Sequence, residues 1–200
     1  MATPFAYPDE PHGRKHGPLG YSGYRPYRPW LRDEFTFRCV YCLTREQWGR
    51  AKGMFDLDHF VPQAHDPQQR EQYDNLLYAC RTCNRAKSDQ TTPDPTQVLT
   101  AEQVQVHSDG SIEGLTPAAE RLIWLLDLDG DDYRQWRLTW MRIIDLAAEY
   151  DRELYLQLMG FPRDLPNLRQ LRPPGGNFRP EGIENSHYEM RQRDELPDEY

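Results

Sequence analysis

Two Cys-x-x-Cys pairs constrain this chain more than any other feature in it. Cys39 and Cys42 form one pair, Cys80 and Cys83 the other, and these are all four cysteines in 200 residues. A knuckle turn at each pair brings two thiolates to about 2.3 Å of one ion, so the pattern suits tetrahedral Zn²⁺. The interval between the pairs is longer than in a simple zinc ribbon, so a folded element must fill it. Two disulfides are the competing reading. They are disfavoured because the N-terminus has no apolar leader that would send the chain to an oxidising compartment. A redox role is disfavoured too, since two such pairs without a thioredoxin-like pattern point to metal. Four sulfur ligands close the site, so this zinc holds structure and does not catalyse.

Composition sets the wider frame. The hydrophobic fraction is 38% and there are 17 prolines, which predicts a modest core with long irregular segments. No apolar run approaches the ~20 residues of a membrane span, and a cytoplasmic protein is expected. The net charge of −8 is unevenly spread. Residues 1–33 carry five Arg and Lys against three acids, residues 34–90 eight of each, and residues 91–200 eleven against twenty-one. The acidity therefore belongs to the C-terminal half and weighs little against polyanion binding by the first ninety residues.

The chain divides accordingly. Residues 1–33, rich in Pro, Tyr and Arg, show no apolar period and read as an extended or disordered arm; its Arg and Tyr residues suit a phosphate backbone and its bases, or simply a surface packing role. Phe35–Cys39 alternates like a short strand, and Thr44 to Ala51 suits a short helix. Phe55–Val61 and Asn75–Cys80 have strand character, with a polar loop between, and Cys83–Lys87 begins a helix. Residues 91–171 follow as a hairpin around Ser108-Asp109-Gly110-Ser111 and two helices. Thr116-Pro117 is a helix start, with Ala119, Leu122, Ile123 and Leu126 on one face. A second helix is predicted over residues 132–158, with Trp136, Trp140, Ile143, Ala147, Leu154 and Leu158 along one side. Residues 172–200 read as a flexible charged tail. The fold class is α+β.

Inside the cysteine frame lie polar residues with chemical potential. Asp58 and His59 are neighbours on a strand and point to opposite faces. That suits a division of labour, with the carboxylate on a divalent cation and the imidazole activating water. Asn84 follows the last cysteine, and Asp58 with Asn84 would offer the sparse oxygen coordination typical of Mg²⁺. The plainer readings are a helix N-cap for Asn84 and a solvated basic face for Arg81, Arg85 and Lys87. On spacing alone, catalysis and a zinc-held binding module stand level.

Taken together, Cys39-x-x-Cys42, Asp58-His59-Phe60-Val61-Pro62 and Asn75-Leu76-Leu77-Tyr78-Ala79-Cys80-x-x-Cys83-Asn84-x-x-Lys87 resemble the HNH endonuclease family, in its four-cysteine branch with a ββα-metal fold. The resemblance covers about fifty residues. It implies that His59 is the general base, that Asp58 is a metal ligand, and that Asn75 is the central asparagine that holds the loop and orients the base. Asn84 stands where the second histidine usually does, which implies an H-N-N variant with Mg²⁺ or Mn²⁺ rather than a softer metal. Lys87 and Arg85 are phosphate-binding candidates. The implied activity is metal-dependent hydrolysis of DNA, with the choice between DNA and RNA left open; the alternative is a catalytically decayed, zinc-held nucleic-acid-binding or adaptor protein. The C-terminal helices lie outside the resemblance and suit a homodimer or a partner protein.

Overall fold

The computed structural model describes residues 4–49 and 54–200. Its centre is an antiparallel hairpin of β1 (Phe55–His59) and β2 (Leu76–Cys80), followed directly by helix α2 (Arg81–Lys87). The register pairs Phe55 with Cys80 and His59 with Leu76, so the catalytic candidates fall at one end of the hairpin and the second cysteine pair at the other. Every residue of β2 is buried, as expected of a strand covered on both faces. The fold is α+β with a ββα unit.

The first cysteine pair docks on this unit through the backbone. The Val40 amide donates to the Tyr78 carbonyl at 2.9 Å, and Leu43, in the left-handed region at φ 58°, closes the knuckle. The stretch before it is not the expected strand. Helix α1 (Arg28–Glu34) runs up to Phe35, and Thr36 and Phe37 then turn the chain with φ of 50° and 55°. The alternation of Phe35 and Phe37 reflects two buried rings on a tight turn. After the knuckle, a 3-10 turn, Glu46–Trp48, forms among the described residues. The remainder of the helix expected there, residues 50 and 51, lies outside the described residues.

Residues 4–33 pack as part of the core instead of extending from it. Phe5, Tyr7, Tyr27, Trp30 and Leu31 are all buried, and His16 is fully enclosed. Aromatic rings achieve this one by one. Tyr27 meets Tyr21 and Tyr73 at centroid distances of 5.1 and 5.5 Å, and Phe5 meets Trp48 and Trp136, each at 5.3 Å.

Beyond α2, a short helix α3 (Pro95–Val98) leads to the hairpin β3 (Val104–Val106) and β4 (Ile112–Gly114), turned at Gly110 with φ 82°. Helix α4 (Pro117–Leu125) starts as the sequence indicates, with the Thr116 hydroxyl accepting from the Ala119 amide at 3.3 Å. Its apolar face, Ala119, Leu122, Ile123 and the adjoining Leu126, is buried throughout.

The long second helix is two helices, α5 (Asp131–Tyr150) and α6 (Arg152–Met159). Asp151 breaks it. Its carboxylate accepts from the Leu154 amide at 3.0 Å, and this N-cap opens a new helix where the old one would have continued. The break rotates the buried face: Ile144, Ala147, Tyr155 and Met159 form the small cluster there, while Ile143 and Leu154 are exposed. Leu146 and Tyr150 are also exposed on α5.

The tail is ordered by pairing with residues far upstream. Helices α7 (Glu181–Glu184) and α8 (His187–Gln192) lie in it, His187 Nδ1 meets Asp33 at 2.9 Å, and the Tyr200 ring lies 4.2 Å from the Arg45 guanidinium. No helix among the described residues is long and apolar enough to cross a membrane.

Candidate metal centre and hydrolytic cleft

The four cysteines converge. Cys39, Cys42, Cys80 and Cys83 are buried, and their sulfurs all lie within 4.8 Å of one another. Cys42 and Cys80 are 3.7 Å apart, close to the ~3.8 Å edge of a tetrahedron drawn around zinc with 2.3 Å bonds. The donor set therefore fits Zn²⁺. Two hydroxyls complete the surroundings: Thr44 lies 2.9 Å from Cys42 Sγ, and Tyr133 of α5 lies 3.1 Å from Cys83 Sγ. Such outer contacts orient ligands and raise metal affinity.

Cys80 is also the N-cap of α2, with its sulfur 3.5 Å from the Cys83 amide. Asn84 is thus inside the helix and is not its cap. Metal binding at Cys80 and Cys83 would fix the helix start and, with it, where Asn84 projects.

His59 closes β1 and faces a cleft of about 340 Å³ that Asp58 and Asn84 also line. Its ring is held from both sides. Nε2 lies 3.0 Å from the Arg70 carbonyl, which can only accept, so Nε2 carries the proton. Nδ1 is then the acceptor, and it takes a hydrogen bond from the Gln63 amide at 3.1 Å. Tyr24 packs edge-on against the imidazole at 4.7 Å. Burial pulls the His59 pKa below its ordinary value, despite the Arg70 carbonyl and Asp58, so the ring is neutral near neutral pH.

Asn75 supplies the loop geometry. Its Oδ1 accepts from the Val61 amide at 2.8 Å, and its Nδ2 donates to the Val61 and Gln69 carbonyls at 3.1 and 3.2 Å. This clamp ties both ends of the 60–75 loop together and sets the position of Arg70, the residue whose carbonyl orients His59.

Asp58 is nearly inaccessible, at 3% exposure. Tyr41 donates to Oδ2 at 2.6 Å and Lys87 Nζ to Oδ1 at 3.1 Å. Lys87 is wholly buried and also donates to the His59 carbonyl at 2.7 Å. This corrects the expectation that it meets phosphate: its charge is committed to bracing β1 against α2. Arg85 is exposed but lines a different cleft, with Arg81, Asp132, Tyr133 and Trp136, so it is not brought to His59. Asn84 donates Nδ2 to Asp56 at 3.4 Å, and among the described residues its Oδ1 accepts no hydrogen bond. Asp58 and Asn84 line one cleft, with the Asn84 amide oxygen unengaged and both Asp58 oxygens already held by Tyr41 and Lys87.

Sequence reasoning missed Tyr41, Gln63, the Arg70 carbonyl and Asp56, and read Tyr24 only as one of the arm's rings suited to bases. None sits at a motif position. Only Tyr41, enclosed by the first Cys-x-x-Cys, had a signal, since any residue inside a knuckle is held near the metal-bound unit.

A buried four-sulfur cluster on a ββα unit, with a histidine cleft at the far end of the hairpin, defines a zinc-type ββα module. Residues 39–90 match the family model described as HNH endonuclease, and the chain carries an HNH domain over that span. Comparison of the chain with curated proteins gives no match.

Proposed function

We propose that the protein is a metal-dependent endonuclease that hydrolyses DNA phosphodiester bonds. The observation that carries this is how His59 is held: the Arg70 carbonyl engages Nε2, which makes Nδ1, now bonded to the Gln63 amide, the acceptor in a ring that lines one cleft with Asp58 and Asn84.

In this reading a water replaces the Gln63 amide at Nδ1. His59 takes its proton as the water oxygen forms a bond to phosphorus and the bond to the 3′ oxygen breaks in line, leaving a 5′ phosphate. Asp58 and Asn84 would hold Mg²⁺ or Mn²⁺, which would supply charge stabilisation for the phosphoryl oxygens and the leaving group. Lys87 and Tyr41 keep the Asp58 carboxylate in place, and Asn75 keeps the Arg70 carbonyl under the imidazole. The cysteine cluster holds a structural zinc and takes no part in the chemistry.

One observation favours a second reading, a decayed module that binds nucleic acid without cutting it: both oxygens of Asp58 are already engaged within the chain. Incubation of supercoiled plasmid and single-stranded RNA with the wild-type protein, with and without added Mg²⁺ or Mn²⁺, separates the two. Metal-dependent nicking or linearisation of the plasmid supports the nuclease. Cleavage of RNA alone changes the substrate. Retained DNA binding with no cleavage under any metal supports the decayed module.

A further inference from the structure

We infer that the N-terminal arm supplies the phosphate-binding wall of this site, with Arg25 as its principal contact to the nucleic-acid backbone. The inference rests on the nucleic-acid reading above and adds residues outside the segment that matches the family model.

A second cleft, of about 410 Å³, is lined by Tyr24, Arg25, Arg28, Asp56, Leu57 and Asn84. Tyr24, Leu57 and Asn84 line the His59 cleft too. The two are halves of one groove that meet at Asn84. One half carries His59, Asp58 and Asp89, and the other carries two guanidinium groups. A phosphodiester strand lying along the groove would place one phosphate at His59 and a neighbouring one at the arginines.

The arm is built to hold this position. Gly23, at φ 79°, takes a conformation that favours glycine and turns the chain into the 3-10 segment Arg25–Tyr27. Tyr27, Trp30 and Leu31 are buried just beyond it and anchor the segment in the core. Tyr24 then sits between two parts of the site, edge-on to His59, with the Arg70 guanidinium 5.8 Å from its ring centroid.

The two arginines differ in what they have left to offer. Arg28 donates Nη1 to the Phe55 carbonyl at 2.9 Å and so also braces the start of β1. Arg25 is exposed and, among the described residues, its side chain makes no hydrogen bond or ion pair, its carbonyl alone accepting from the Arg28 amide. The groove's nearby carboxylate does not neutralise it, because Asp56 Oδ2 is engaged by Arg81 at 3.7 Å and Asn84 at 3.4 Å. An unpaired guanidinium beside a groove that ends at a hydrolytic histidine suits phosphate, whose oxygens match its planar fork.

The test is fluorescence anisotropy of a labelled duplex oligonucleotide over a salt series, without added divalent cation. It compares the full-length wild type with Arg25→Gln, and with Arg121→Gln, an exposed α4 substitution of equal charge change that lines neither cleft. Arg25→Gln should weaken binding by about tenfold at low salt and reduce the slope of log affinity against log salt by about 0.9, one phosphate contact. Arg121→Gln should match the wild type, and Arg25→Glu should weaken binding further. In cleavage, Arg25→Gln should raise KM while kcat holds. Affinity and slope of Arg25→Gln equal to the wild type, or to Arg121→Gln, would overturn the inference and leave the nuclease reading intact. Cleavage that survives His59→Ala would overturn the assigned mechanism and leave the anisotropy to decide Arg25. A wild type that binds neither duplex, single-stranded DNA nor RNA at low salt would overturn both.

Discussion

The cysteine cluster and the His59 cleft occupy opposite ends of one hairpin, and they are built on opposite terms. The cluster is closed: four like ligands, all buried, each aimed at the same point. The cleft is open, and its groups are of mixed kind and already held by others, Asp58 by Lys87 and Tyr41, His59 by Arg70 and Gln63. A closed site acts by existing, whereas an open one acts only when a water, a cation and a substrate displace what now satisfies it. The strand–helix junction joins them, since Cys80 caps α2 and Asn84 follows Cys83. Damage to the first site must therefore reach the second, while damage to the second need not reach the first.

The largest effect should come from the cluster. Cys80→Ser removes a ligand and the cap of α2 together, and structural zinc supplies on the order of 10–16 kcal/mol in small zinc-dependent units. Metal analysis should find about one zinc per wild-type chain and less than stoichiometric zinc in the variant, whose circular dichroism should show lost structure. Full zinc and an unchanged melt would break the distinction between the two sites.

Lys87→Met should be next. It leaves Asp58 buried with its charge unpaired, which typically costs about 3–5 kcal/mol. Thermal melting should show this loss while zinc content stays near the wild type, because Lys87 braces the cleft end of α2 and touches no cysteine.

Acid should test the packing that surrounds both sites. Burial alone would raise the Glu34 pKa. Hydrogen bonds from His12 and the Lys15 amide outweigh it and lower the carboxyl to about 2, and Asp33 is lowered in the same way by His16 and His187. A depressed carboxylate stabilises the fold above its unfolded pKa, and that stability is lost as pH falls through the folded one. For Glu34 this is about 3 kcal/mol, lost between roughly pH 4.5 and 2. Urea melts across that window should fall faster for the wild type than for Glu34→Gln, and parallel curves would contradict the assignment.

The smallest effect should be at the cluster's rim. Tyr133→Phe removes the hydroxyl 3.1 Å from Cys83 Sγ and should weaken zinc by about 10- to 100-fold. Competition with a chelator measures this, with the fold otherwise retained.

What could be read in advance follows the same division. Cysteine spacing, the Asp58-His59 pair and the helical face of α4 are local patterns, and local patterns survive in sequence. The ββα order was legible for that reason. The arm was not, because single rings bury it with no period to mark them. Nor was the tail, whose order rests on His187 reaching Asp33 and Tyr200 reaching Arg45 across more than a hundred residues. The break at Asp151 was hidden because an apolar period ran through it, and one cap overrode that period. Lys87 shows the sharpest limit. A lysine on a short polar helix reads as a surface charge until the structure shows Asp58 beneath it.

The most direct test of the account is paired measurement on His59→Ala: its zinc content and melting temperature beside its rate of plasmid cleavage with Mg²⁺. The variant should keep zinc at the wild-type level and a largely unchanged melt, with cleavage reduced by about 10²–10⁴-fold, the usual contribution of a general base. Cleavage at the wild-type rate by the well-folded, zinc-loaded variant would contradict it.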